Sequence, residues 1–276
     1  MENDFRHAII YDMPKPELVL SNTTSFFIGG IEKTFQRAEK LGFKHLELVT
    51  YRWTDPSEIL RWKEKYGINV AGIHLSQWWG KTLWQEFPNM HNMLEKIFVF
   101  VWAFYLGDAA KNPGLELAEK LPPSNPYLLV HTNVIADMGW ETFEQLTKQF
   151  HAVIENLPYH EGYPQYFWNP VEMKRELEKR NLKAGIVFDH AHFQPTQKQF
   201  PNLDLLETYR QITPEVLHIS YSNFGIHTLP NKKEQEELKT LLKIHAPRYI
   251  VLETNPLVSI KKGKKLLEEI ISEALG

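Results

Sequence analysis

Lys183–Phe193 reads KAGIVFDHAHF, an apolar run of Ile186, Val187 and Phe188 that stops abruptly at Asp189, His190 and His192. The run is long enough for one strand buried on both faces, the kind that parallel sheets use. Asp and His at its end supply oxygen and imidazole, both ligand types for a divalent metal. A strand leading into an ordinary polar loop explains a single segment of this kind equally well. The chain, however, repeats the pattern.

Working outward, seven more segments read as strands: Leu18–Ser25, His45–Thr50, Val70–Ser76, Tyr127–Thr132, Ala152–Asn156, Val216–Ser220 and Tyr249–Glu253. The strand that opened the reading is Ala184–Asp189. Helical spacing separates them, at Gly29–Leu41, Asp55–Tyr66, about 89–108, Gly114–Leu121, Glu141–Phe150, Asn169–Arg180, Leu203–Ile212, Lys232–Ile244 and Ile260–Leu275. Asp55 followed by Pro56 is a helix start, and Gly42 a helix stop. The junction after Phe150 has no Gly or Pro, so a continuing helix through Glu155 competes with a fifth strand there. Eight strands alternating with helices imply a parallel sheet closed as a (β/α)8 TIM barrel, α/β in class and a single domain over 18–276, after a lead-in at 1–17. No GxGxxG or GxxxxGK[ST] follows a strand, which argues against a nucleotide-binding open sheet.

Composition agrees with a large globular core. The 276 residues are 43% hydrophobic and 13% aromatic, with 34 acidic against 31 basic residues and a formal charge of −3. That balance announces no nucleic-acid partner and argues against one. The absence of cysteine removes disulfides, thiolate ligands and thiol nucleophiles. The N-terminal stretch lacks a basic start with an apolar core, and the apolar run IFVFVWAFYL at 97–106 is shorter than the roughly 20 residues a membrane span needs. A soluble, cytoplasmic protein with no membrane partner is expected, and a homo-oligomer is compatible with the fold.

In a parallel barrel all strand C-termini open onto one face. They carry His74, His131, Glu155, Asp189 with His192, His218 with His227 just beyond, and Glu253. A lone His on a strand is more often a hydrogen-bonded core residue, and a lone Glu often pairs with Arg. Yet carboxylates that follow buried apolar residues cost several kcal/mol unless paired or metal-bound, and most Lys and Arg lie in the helices. Glu155, Asp189, His218 and Glu253 therefore read as metal ligands. His74, His131, His192 and His227 read as candidate further ligands or substrate contacts, and His45, His190 and His245 as structural. Trp78, Trp79, Trp84 and Trp168 sit where top-face loops would line a substrate wall, unless they serve loop packing.

IENLP at 154–158, FDHAH at 188–192, LHIS at 217–220 and VLETN at 251–255, in this order on consecutive strands, resemble the xylose-isomerase-like TIM barrel superfamily. The resemblance spans about residues 18–275. It implies one divalent metal (Mn, Mg, Co or Zn) held by Glu155, Asp189, His218 and Glu253, with Glu155 and Glu253 as the catalytic acid and base of a sugar, sugar phosphate or polyol isomerase or epimerase. The endonuclease IV-like branch implies instead a multi-metal phosphodiester hydrolase that also uses His74, His131, His192 and His227. That branch's Asp-x-His appears here as Gly225-Ile226-His227, and SNTTSFFIGG at 21–30 replaces its glycine-rich first-strand motif. A non-catalytic binding barrel is the third reading, disfavoured by so many ionisable strand ends.

Overall fold

The computed structural model describes residues 15–25, 30–75, 112–122, 126–223 and 226–276. Trp78, Trp79, Trp84 and the helix expected at 89–108 lie outside these residues. Eight parallel strands close the barrel: β1 (Glu17–Ser21), β2 (His45–Val49), β3 (Asn69–His74), β4 (Tyr127–His131), β5 (Ala152–Glu155), β6 (Gly185–Asp189), β7 (Val216–Ile219) and β10 (Tyr249–Leu252). The order around the barrel is β1-β10-β7-β6-β5-β4-β3-β2. A short antiparallel pair, β8 (Tyr221–Asn223) and β9 (Ile226–Thr228), rises after β7 and was not anticipated from the sequence.

Period-two alternation explains what fills the barrel. Val153, Val187, Val216, Val251 and Leu129 point inward, in one buried cluster with Val19, Ala71, Tyr127 and Tyr249. The residues between them, Val130, Ile154, Phe188, Leu217 and Leu252, pack outward against the helices. Both faces are dry, which is why the strands read as unbroken apolar runs. Two residues beyond the inward Leu129, Val153, Val187, Val216 and Val251 stand His131, Glu155, Asp189, His218 and Glu253. Alternation alone thus turns them to the interior, at the mouth.

Local chemistry sets the helix ends. Asp55 caps the helix Pro56–Tyr66 by accepting from Ser57 N at 2.8 Å, and Gly67 ends it with φ +62°. Asn231 and Glu234 form a reciprocal capping box on Lys232–Ile244. Trp140–Gln149 ends at an extended Phe150, and β5 starts at Ala152. With no breaker present, burial of Phe143, Leu146 and the strand residues on opposite sides of the junction decides it. Among the described residues three helices appear where loops were expected, Thr132–Met138, Gln165–Trp168 and His190–Gln199. No helix among the described residues is long and apolar enough to cross a membrane.

Gly72 has a steric reason to lack a side chain. A Cβ there would come within 2.3 Å of two Tyr127 ring carbons and 2.7 Å of its Oη, on the way from β4 across β3 to β2. Overpacking at such a site costs about 1–3 kcal/mol. Gly72→Ala should therefore lower unfolding free energy by that amount in a urea titration, whereas an alanine at a solvent-exposed helix position should leave it nearly unchanged.

Candidate metal centre

The strand ends that the sequence singled out converge on the C-terminal mouth. Glu155, Asp189 and His218 are buried to 1% exposure or less, and His74, His131 and Glu253 retain 6–8%. Registers set the levels: His131 pairs with Glu155 across β4 and β5, and Asp189 with His218 across β6 and β7. His218 Nδ1 sits at the centre, 3.1 Å from Glu253 Oε2, 3.5 Å from Glu155 Oε1 and 3.9 Å from Asp189 Oδ2. A second grouping adjoins it: His74, His131 and Glu155 each offer a ligand atom within 4.8 Å of the others. Glu155 belongs to both groups, with Oε2 3.0 Å from His131 Nε2.

His192 lies at the rim of this cluster. Its Nδ1 donates to the Asn156 carbonyl at 2.8 Å and stands 3.5 Å from Glu155 Oε1. His227 is placed only by its backbone, opposite Ser222 in the β8–β9 pair. Trp168 is 6% exposed, stacked on Phe200 at 4.7 Å with Tyr159 edge-on, so it is built into an aromatic cluster. His190, read as structural, is buried between Phe188 and Tyr221, and burial alone pushes it down to about 4.

The sequence reading missed Glu47. It is fully buried on β2 and accepts from three groups: His74 Nε2 at 2.9 Å, His218 Nε2 at 3.0 Å and Tyr127 Oη at 2.6 Å. The available signal was a glutamate inside the apolar strand HLELV, where a carboxylate is expensive without partners. Asn156 was missed too. Its side chain brackets the Asp189 backbone, donating to O at 3.1 Å and accepting from N at 2.9 Å. Asp189 divides its own oxygens: Oδ1 caps the helix His190–Gln199 through His192 N at 3.0 Å, and Oδ2 faces the cluster.

Charge within the mouth is balanced by imidazoles. Burial opposes ionisation of Glu155 most strongly, but His131 and His218 outweigh it and hold the carboxyl well below the usual carboxylate range. Glu47 is held down in the same way by His218 and His74. Conversely, burial disfavours the His218 imidazolium, and Glu47 and Glu155 overcome it to raise the group well above an ordinary histidine. His74 is raised by Glu47, and His192 by Asp189 and Glu155, each against burial. All the charged partners of Glu47 and Glu155 among the described residues are imidazoles. Glu155, Asp189 and His218 offer ligand atoms within 4.8 Å of one another, and Glu253 Oε2 lies 3.1 Å from the same His218 nitrogen, a donor set that fits a hard or borderline divalent cation.

No family model and no curated protein matches the chain. Likeness appears in three dimensions. The IolI protein with a bound zinc atom superposes with a TM-score of 0.59 at 14% identity, over 94% of this chain and 99% of that one. AP endonuclease, family 2, from Brucella melitensis gives 0.58 at 12% identity, over 92% and 98%. AsbF, involved in petrobactin synthesis in Bacillus anthracis, gives 0.51 at 12% identity, over 92% and 97%. Together with the closed barrel and its strand order, these likenesses show that the chain has a (β/α)8 TIM-barrel fold.

Proposed function

We propose that the chain is a divalent-metal-dependent isomerase or epimerase of a small sugar, sugar phosphate or polyol derivative. The observation that carries the proposal is the convergence of Glu155, Asp189 and Glu253 oxygens within 3.9 Å of His218 Nδ1. These four residues would hold the cation. When bound, it would polarise a carbonyl and the hydroxyl beside it, acidifying the C–H between them. Glu155, kept ionised by His131 and His218, is the base that removes this proton. Glu253, which shares His218 Nδ1 with Glu155, returns a proton to the opposite face. The buried floor of Val153, Val187, Val216 and Val251 below excludes water from the reacting carbon.

A multi-metal phosphodiester hydrolase is the second reading. What favours it is the adjoining His74, His131 and Glu155 group, which would place further metal beside the first. Metal content separates the two: about one equivalent of Mn²⁺ or Co²⁺ per chain supports the isomerase, and two or three support the hydrolase. Ketose conversion absent from a broad panel, together with cleavage of an abasic-site oligonucleotide, would overturn the first.

Glu155→Gln and Glu253→Gln should each lower turnover by about 10²–10⁴-fold. Reaction in D₂O should place solvent deuterium on the reacting carbon, and a product without it would rule out transfer through these carboxylates. Cation and proton also compete for His218 Nδ1. The folded site raises that imidazole well above its ordinary value, so a proton is held there more firmly than on a free histidine. Metal affinity should therefore weaken as pH falls and strengthen as pH rises through the neutral range, with protons released on binding. Calorimetry in two buffers of different ionisation heat measures that release.

A further inference from the structure

We propose that Glu47 is the positioning residue of this centre, fixing which ring nitrogen His218 turns toward the cation. The inference rests on the reading of Glu155, Asp189, His218 and Glu253 as a cation site. Glu47 comes from β2, which lies across the barrel mouth from β7 with β1 and β10 between them. Its Oε2 accepts from His218 Nε2 at 3.0 Å and from Tyr127 Oη at 2.6 Å, while Oε1 accepts from His74 Nε2 at 2.9 Å. A carboxylate has no proton of its own to offer here, so His218 Nε2 must carry the ring hydrogen. When a cation displaces the other ring proton, the lone pair is therefore at Nδ1, the atom that faces Glu155, Asp189 and Glu253.

Tyr127 and Gly72 complete the device. Tyr127 rises from the barrel floor, and only the missing side chain of Gly72 lets its ring pass to Glu47. With both oxygens engaged by three donors from β3, β4 and β7, the Glu47 carboxylate has little freedom to turn. A hydrogen-bonded carboxylate behind a ligating imidazole orients the ring and raises its basicity, and its loss typically weakens metal binding about 10–100-fold. His74 is held through the same carboxylate, its ring stacked 5.9 Å from that of His218. One residue therefore positions imidazoles belonging to both candidate groups.

The test titrates Mn²⁺ and Zn²⁺ against a chelator of known affinity, using the full chain and variants whose folding is checked by thermal melting without metal. Glu47→Leu should weaken binding about 10–100-fold. Glu47→Gln should recover part of the loss, because its amide oxygen can still accept from His218. Tyr127→Phe, which leaves charge unchanged, should weaken binding less but in the same direction. In the zinc-loaded protein, ¹⁵N NMR should show the His218 proton on Nε2, and that signal should disappear or shift in Glu47→Leu. Should Glu47→Leu fail to fold, Glu47→Gln and Tyr127→Phe decide. Binding by the folded variants within roughly twofold of the parent overturns the role of Glu47 while leaving the cation site standing. Failure of the parent chain to bind either metal overturns the cation site itself.

Discussion

Compensation of buried charge is the condition on which this barrel mouth depends. Glu47, Glu155, Asp189 and Glu253 stand among His74, His131, His192 and His218, nearly all cut off from solvent. A buried carboxylate left alone would cost several kcal/mol, and an unpaired buried imidazolium no less. Here each member is the remedy for another: His218 lies between Glu47 on one nitrogen and the Glu155, Asp189 and Glu253 oxygens on the other. Imidazoles do the balancing among these carboxylates, a role that a divalent cation would take over when bound. Electrostatics that stabilise the fold and electrostatics that would recruit a metal are thus the same interactions.

Structural and chemical duties are also combined in single side chains. Asp189 ends a strand, caps the following helix with one oxygen and turns the other toward the cluster. Asn156 follows Glu155 directly and grips the backbone of Asp189, so two neighbouring strand ends are locked at a common height. His192, one turn into that helix, is tied back to the Asn156 carbonyl. The β5 and β6 ends therefore behave as one rigid unit. Such rigidity matters because a metal centre or a proton transfer tolerates little displacement of its groups.

Much of the candidate site was readable because alternation is strict on β4 to β7 and on β10. Once Val153, Val187, Val216 and Val251 are taken as inward, Glu155, Asp189, His218 and Glu253 two places on must be inward as well, and parallel strands carry them to one end. The helices ending at Gly67 and beginning at Asn231 were equally readable, since their capping residues act locally. The helix His190–Gln199 was not, because it presents a histidine-rich, weakly periodic stretch with an internal Pro195 and is started by a residue that looked like a ligand.

Sequence by itself determined the number of barrel strands, their direction and most of the residues delivered to the mouth, because these follow largely from local alternation and capping. Tertiary structure alone decided which groups meet. Glu47 finds His218 from 171 positions away, and Tyr127 reaches Glu47 over 80 positions through the gap at Gly72. No local pattern marks such encounters. They arise when barrel closure fixes stagger between strands, and only then does a glutamate flanked by leucines acquire three hydrogen-bond donors.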